Sequence, residues 1–229
     1  MTVELVEAWV LHKRPSGDSS VLVTFFTREK GIIKCLCKGG RSPKKQAVLQ
    51  LFTPLWLSVE IKRDRHYVRQ FETTSRTLDL KGNALFAGLY LNELLYYSLS
   101  ALDYHPELFE TYLKTLNGLV DATNNLMIEV LLRHFEWSLL TACGQAISFT
   151  EEANTMQLID ENKNYQFIAK EGFIPAITGL SGKHILALSQ GHLNDVAVLK
   201  TAKLIMRQAI DSLLEGRVLQ SRALYIKKT

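Results

Sequence analysis

The first 80 residues of this chain contain five short runs of strand-forming residues that are joined mostly by tight turns. The runs are rich in Val, Leu, Ile, Phe and Thr, and they cover Val3–His12, Ser20–Thr27, Ile32–Cys37, Leu55–Ile61 and Tyr67–Thr74. Strands this short bury a common face most readily when the sheet closes on itself, so the pattern predicts a small five-stranded barrel. An OB-fold is the leading interpretation, and on the pattern alone an SH3-like barrel remains open.

After residue 80 the spacing of apolar residues changes from that of strands to that of α-helices. Helices are predicted over Ala84–Leu102, Pro106–Ala122, Leu126–Cys143, Ser181–Gln190 and Asp195–Leu214. Pro106 suits a first helical turn, Gly144 a helix end, and Asp195 an N-cap. A β-hairpin or irregular insertion is expected around residues 150–178. The fold class is therefore α+β, with a small N-terminal barrel over residues 1–80 and a mostly helical C-terminal domain over residues 81–229.

The net charge of +4 conceals an uneven distribution along the chain. Residues 1–80 carry 14 basic and 8 acidic side chains, residues 81–195 carry 6 and 13, and residues 196–229 carry 7 and 2. Two basic ends flanking an acidic middle indicate a localised surface for an anionic partner. Nucleic acid is the leading candidate, and an acidic peptide or an anionic membrane surface is the alternative.

The connection Lys38–Lys45 places four cations and two glycines between two predicted strands. Unpaired cations are too costly to bury, so these face either water or an anion, and a mobile basic loop on a barrel rim suits a phosphate backbone. A solvated surface loop is the alternative. The predicted nucleic-acid-binding residues of the barrel are Lys13, Arg14, Arg28, Lys34, Lys38, Arg41, Lys44, Lys45, Arg65 and Tyr67.

Single-stranded nucleic acid also requires aromatic faces on which bases can stack. The candidate rings of the barrel are Tyr67, Trp56 and Phe71, although strand aromatics are more often core residues. Tyr67 is expected to be the most exposed of the three, because it follows a polar, basic turn.

The last long helix carries Lys200, Lys203 and Arg207 on one stripe, since their spacing is i, i+3 and i+7. This stripe is interpreted either as a second phosphate or protein contact or as a solvated helix face. Four further cations follow in the C-terminal tail: Arg217, Arg222, Lys227 and Lys228.

The sequence lacks the motifs of the common catalytic and metal sites. It contains no phosphate-binding P-loop, no nucleophile elbow and no H-E-x-x-H, and its six histidines are scattered. The three cysteines include no C-x-x-C pair. We therefore expect neither an enzyme nor a metal or cofactor site. An acidic N-terminus and the lack of a long apolar run lead us to expect a reduced, cytoplasmic protein that does not contact membranes.

Seven segments, in their order and spacing, resemble the RecO family of bacterial DNA-repair proteins and recombination mediators along nearly the whole chain. They are Leu11–Pro15 with Ser19 and Ser20, Phe26–Gly31, Lys38–Ser42, Leu51–Leu55, Gly88–Leu95, Leu132–Glu136 and Ser221–Leu224. The resemblance implies an N-terminal OB-fold and a helical C-terminal domain. Some family members carry a four-cysteine zinc site in that domain, but only Cys143 lies near it here, so zinc is not expected.

The resemblance also implies a function and partners. Family members bind single- and double-stranded DNA, anneal complementary strands, and act with RecR to load RecA onto strands covered by single-strand-binding protein. The expected location is the cytoplasm, in association with the nucleoid. An RNA-binding barrel and a protein–protein adaptor remain the alternatives.

The family's contact with the acidic, hydrophobic tail of single-strand-binding protein requires a cation beside an apolar pocket. Arg133 is the candidate, since it is one of few cations in the acidic middle of the chain. The alternative is a local ion pair between Arg133 and Glu129 or Glu136, which helix spacing allows. Both interpretations remain open at this point.

Overall fold

The computed structural model describes residues 2–63 and 65–226 and begins with a closed five-stranded barrel. Its strands are β1 (Thr2–Ser16), β2 (Ser20–Thr27), β3 (Gly31–Cys37), β4 (Pro54–Lys62) and β5 (Arg65–Thr73). They close in the order β1-β2-β3-β5-β4, with β3 and β5 parallel and the other pairs antiparallel. This barrel, followed by a mostly helical region, confirms the predicted α+β class with an OB-fold-like N-terminal domain.

Alternation along each strand places one set of apolar side chains inside the barrel. The buried interior includes Val6, Val10, Val23, Phe25, Ile33, Cys35, Leu55, Leu57 and Val59. The five strands lie where the sequence predicted them, to within a few residues, except that β1 is longer. It continues to Ser16 because residues 12–16 pair with the first half of β2.

The basic connection between β3 and β4 differs from the loop that was expected. A turn over residues 38–42 leads into a short helix, α1 (Pro43–Val48). Pro43 occupies its first turn, where proline has no hydrogen bond to lose. Lys44 and Lys45 therefore project from a helix, whereas Lys38 and Arg41 belong to the turn.

Two helices pack on the outside of the barrel, α2 (Gly82–Ser98) and α3 (Pro106–Asp121). Phe26 points away from the barrel interior, and its ring centroid lies 5.2 Å from that of Phe109 on α3. The neighbouring Phe25 points into the interior, so both phenylalanines are fully buried. At Phe25 and Phe26 both faces of β2 thus become core, because α3 covers the outer one there.

The chain divides into two compact units. The first holds the barrel, α2, α3 and a C-terminal helix, α7 (Gln220–Ile226), and the second is Thr123–Val218. Glu93 on α2 fixes α7 in place, since its carboxylate accepts hydrogen bonds from the backbone N–H groups of Gln220 (2.8 Å) and Ser221 (2.9 Å). The division into functional domains at residue 80 stays a prediction.

The second unit contains three helices and a small sheet. The helices are α4 (Asn125–Ala142), α5 (Gly182–Ser189) and α6 (Val196–Leu213). The strands β6 (Asn164–Ile168), β7 (Gly172–Ala176) and β8 (Leu180–Ser181) form a sheet in the order β7-β6-β8, within the predicted insertion. Asp195 caps α6 as predicted, and its bonds from the N–H groups of Val198 and Ala197 lower the pKa of its carboxyl. Across the described residues, no helix combines the length and apolar character of a membrane span.

Candidate nucleic-acid interface

A groove of about 430 Å³ crosses the outer face of the barrel. We call it the barrel groove and define it by Leu22, Lys34, Leu36, Arg65, Tyr67 and Leu102. These side chains come from β2, β3, the start of β5 and the connection between α2 and α3. OB-folds bind oligonucleotides on the face of their second and third strands, so this groove has the location expected of a nucleic-acid site.

Strand register explains why the floor of the barrel groove is apolar and one of its ends is basic. Arg14, Leu22, Leu36 and Tyr67 are directly paired across β1, β2, β3 and β5, so they form one row across the sheet. This row has leucines in its centre and a guanidinium at one end, and beyond Tyr67 it continues to Glu60 on β4, which is buried and ion-paired. Such a row offers bases a surface to stack on and phosphates a counter-charge.

The electrostatics of the barrel groove favour an anion. Lys34 and Arg65 line it, and no Asp or Glu is among the described residues that do. Lys38 reaches it from the basic turn, with its Nζ 5.8 Å from the centroid of the Tyr67 ring. A base stacked on Tyr67 would therefore place its phosphate within reach of Lys38.

Hydrogen bonds hold the basic turn and α1 in place. The Arg41 guanidinium donates to the carbonyl of Asp18 at 3.0 Å, and the Lys45 ammonium donates to the carbonyl of Lys38 at 2.6 Å. Arg41 thereby connects this turn to the turn between β1 and β2. These two cations act first as structural donors, while Lys38 and Lys44 extend into solvent.

A second concavity, of about 290 Å³, adjoins the basic turn. Lys13, Arg14 and Arg41 line this side pocket, again with no acidic side chain among its described lining residues. Lys13 donates to the carbonyl of Leu49 at 2.8 Å, and burial lowers its pKa. Arg14 has no such fixed partner in the described chain, so it is the freer cation of this pocket.

Arg28, also predicted to bind nucleic acid, has a different environment. Its guanidinium bonds Glu7 at 2.6 Å, pairs with Glu110 on α3, and stacks over the Phe109 ring at 4.8 Å. The bonds to Glu7 and Glu110 raise its pKa. Arg28 therefore fastens the barrel to α3, and we leave it out of the interface proposed below.

The largest of the three concavities, about 510 Å³, lies beside Trp56. Trp56 is 42% exposed, whereas Tyr67 is half-buried, so the expectation that Tyr67 would be the most exposed ring was wrong. Register places Glu7 and Glu72 on either side of Trp56. Although Lys44 and Lys45 line this Trp56 pocket, the flanking carboxylates disfavour a phosphate backbone at the ring.

Lys200, Lys203 and Arg207 form one exposed stripe on α6, as the sequence predicted. The Lys203 ammonium pairs with Glu129 on α4 at 2.7 Å. Two predicted tail cations, Lys227 and Lys228, lie outside the residues that the structure describes.

Arg133 is 7% exposed on α4, and its guanidinium bonds Glu136 at 2.7 Å. Of the two interpretations left open by the sequence, the local ion pair is the one present here. A role for Arg133 in binding a partner stays a prediction.

Comparison with known proteins identifies the family of the chain. The family model described as "Recombination protein O N terminal" matches residues 1–76, and "Recombination protein O C terminal" matches residues 80–222. The chain belongs to the RecO family. A DNA repair protein RecO from Legionella pneumophila (strain Corby) is 54% identical over 226 residues, covering 98% of this chain and 99% of the relative.

More distant RecO relatives also match over nearly their full length. The protein from Actinobacillus pleuropneumoniae serotype 7 (strain AP76) is 38% identical, covering 96% of this chain and 95% of the relative. That from Pasteurella multocida (strain Pm70) is 34% identical, covering 97% and 96%. Both carry the name DNA repair protein RecO.

The segments that carry the RecO resemblance have structural roles that the fold explains. Lys38–Ser42 is the basic turn, and Gly88–Leu95 contains Glu93, which binds the start of α7 at Ser221. Sequence reasoning missed Glu93, because its partners lie 127 and 128 residues away. A carboxylate within a buried helix face was the available signal.

Proposed function

We propose that this RecO-family chain is a DNA-binding recombination mediator that has no catalytic activity of its own. It binds single- and double-stranded DNA, anneals complementary strands, and helps to load the RecA recombinase onto strands coated by single-strand-binding protein. RecR is the proposed protein partner in this loading step, and RecA is a partner on which the protein acts indirectly. It works in the cytoplasm, in association with the nucleoid.

The observation that carries this proposal is the barrel groove, in which apolar and aromatic side chains lie among cations and no acidic residue of the described lining intervenes. The four cations Arg14, Lys34, Lys38 and Arg65 are exposed and make no ion pair within the described chain. Free cations beside stacking surfaces suit single strands of any sequence. Lys13, Arg41, Lys44 and Lys45 surround this core of the interface and extend it along the basic turn.

Annealing requires a protein to hold two strands, and α6 supplies a second basic surface for this proposal. Lys200 and Arg207 are exposed and free of ion pairs within the described residues, and Lys203 shares its charge with Glu129. Contacts of this kind position a phosphate backbone without selecting a sequence, as annealing of arbitrary complements requires.

The acidic tail of single-strand-binding protein is proposed to dock on the second unit, with Arg133 as the candidate contact. Because Arg133 is buried against Glu136, binding and folding must be separated in the test. In Arg133→Lys the charge remains but the two-pronged guanidinium is lost. A partner role predicts weaker capture of a tail peptide with little change in melting temperature. A purely structural role predicts a lower melting temperature with little change in capture of the peptide.

The proposed DNA activity is tested by titrating a fluorescent single strand with the protein and competing with unlabelled nucleic acids of equal length. Single- and double-stranded DNA are expected to compete. Stronger competition by RNA would favour an RNA-handling function instead. No binding to any of the three at low salt would refute the proposal and leave a protein–protein adaptor.

A further inference from the structure

The side pocket beside the basic turn brings together three cations from two parts of the barrel. Lys13 and Arg14 lie on β1, and Arg41 lies in the basic turn. No acidic side chain is among the described residues that line this pocket. The carbonyl of Asp18 accepts a hydrogen bond from Arg41, but its carboxylate makes no ion pair within the described chain. Three like charges around one cavity repel one another, and a bound anion would relieve that repulsion.

Backbone carbonyls hold two of these cations in place without neutralising them. Lys13 donates to the carbonyl of Leu49, and Arg41 to the carbonyl of Asp18. An ammonium has three N–H donors and a guanidinium has five, so both side chains keep donors for a ligand. Burial lowers the pKa of Lys13, and no carboxylate of the described lining replaces the hydration that its ammonium has lost. The pocket is therefore prepared for an anion before any ligand arrives.

The rest of the side pocket distinguishes a phosphate from a base. Its other described lining residues are small, apolar or neutral, and none has an aromatic ring: Pro15, Val21, Gly40, Gln46 and Leu49. Proteins that bind single strands hold the bases chiefly by stacking them on aromatic faces, which this lining lacks. Phosphate oxygens require only cations and N–H donors, which the pocket offers. The side pocket therefore suits a phosphate backbone rather than a base.

The side pocket and the barrel groove lie next to each other where β1 ends and β2 begins. Arg14 lines the side pocket and pairs with Leu22, which lines the groove. The Cα atoms of directly paired residues on antiparallel strands are about 5 Å apart. Ser16, two residues after Arg14, also lines the groove. One face of the barrel thus carries two neighbouring concavities, of which the groove has the Tyr67 ring and the described lining of the side pocket has none.

We propose that the side pocket is a phosphate-binding site that holds the backbone of a second DNA strand beside the strand in the barrel groove. This inference rests on the proposed function, and it gives annealing a location on the barrel in addition to the stripe on α6. A strand that is held through its phosphates alone keeps its bases free to pair. Arg14 lies at the boundary between the two strands.

The test measures energy transfer between two short strands of thymidine, one carrying a donor dye and the other an acceptor dye. These strands cannot pair with each other, so transfer requires the protein to hold both. Arg14→Ala removes a cation of the side pocket, whereas Gln46→Glu adds a carboxylate to its wall and leaves every cation in place. Gln70→Glu is the matched control, because it makes the same change of charge at an exposed residue of the Trp56 pocket.

The unmodified protein and Gln70→Glu should both give energy transfer. In Arg14→Ala and Gln46→Glu the second strand should bind about tenfold more weakly, which is the loss expected for one charge-assisted contact. A second probe is an abasic strand, which has phosphates but no bases. Gln46→Glu should weaken its binding, whereas Tyr67→Ala should not, because no base is present to stack on the ring.

Three results would overturn the inference. One is the absence of energy transfer in the unmodified protein at concentrations at which each strand binds, since the pocket would then contact the same strand as the groove. The others are transfer that persists in both pocket variants and an equal loss of transfer in Gln70→Glu. If Lys34→Ala/Lys38→Ala/Arg65→Ala still loses binding to one strand in these cases, the proposed DNA function stands without a second-strand site. If that variant also binds normally, the barrel groove itself is refuted.

Discussion

Removing three cations from the barrel groove should change the salt dependence of DNA binding by a calculable amount. Four cations in the groove or next to it, Arg14, Lys34, Lys38 and Arg65, are exposed and make no ion pair within the described chain. Each phosphate contact adds roughly −0.7 to the slope of log affinity against log salt on single strands. The variant Lys34→Ala/Lys38→Ala/Arg65→Ala loses three contacts, so its slope should be shallower by about 2.

These slopes translate into a wide difference between the two proteins. Raising salt from about 50 to 200 mM should therefore weaken DNA binding by the unmodified protein about 20-fold more than DNA binding by the variant. Fluorescence anisotropy with a labelled single strand measures both slopes. Lys81→Ala is the matched control, because Lys81 is exposed and already paired with Asp79 at 2.6 Å. An unchanged slope in the triple variant would refute the assignment of the groove, and a reduced slope in Lys81→Ala would show that total charge alone is responsible.

Three further predictions concern the fold itself. Replacing Glu93 with Ala removes the carboxylate that binds the start of α7, so the free energy of unfolding should fall by about 1–2 kcal/mol. Hydrogen exchange at residues 220–224 should become faster, and unchanged exchange there would contradict this role of Glu93. Burial raises the pKa of Cys35 to about 12 and also raises the pKa of Cys37. At pH 8 a thiol reagent should therefore modify one thiol in the native protein, that of Cys143, and three thiols after unfolding. Rapid labelling of all three thiols in the native protein would contradict this burial. Partial desolvation lowers the pKa of His134, although the residue remains exposed on α4. The unfolded chain therefore binds the proton slightly more tightly, and stability should fall by a small amount as pH drops below about 6.5. His134→Gln should lessen that fall in urea titrations, and identical pH profiles would exclude the linkage.

Locally determined features of the fold were predictable from the sequence. The β2 strand has the predicted ends, Asp195 caps α6, and Gly144 ends α4 with a positive φ of 71°. Each depends on a signal that neighbouring residues carry. The strand order that distinguishes an OB-like barrel from its SH3-like competitor depends on pairing between distant strands, and only the resemblance indicated it beforehand.

Features set by distant contacts were not predictable in this way. Arg28 forms an ion pair with Glu110, which lies 82 residues away in the sequence, and no local pattern indicates that pair. Trp56 and Tyr67 both look like strand aromatics, and their exposure depends on which face of the barrel other elements cover. The helix α1 has six residues, too few to show an apolar period, although Pro43 after Ser42 was a valid start signal.

The measurement that tests the central claim most directly is fluorescence-monitored annealing of two complementary DNA strands, one of them coated with single-strand-binding protein. The mediator account predicts that this protein accelerates annealing through the coat, and that the triple groove variant does not. Binding to the bare strand without acceleration on the coated strand would contradict the account and leave a general nucleic-acid-binding barrel.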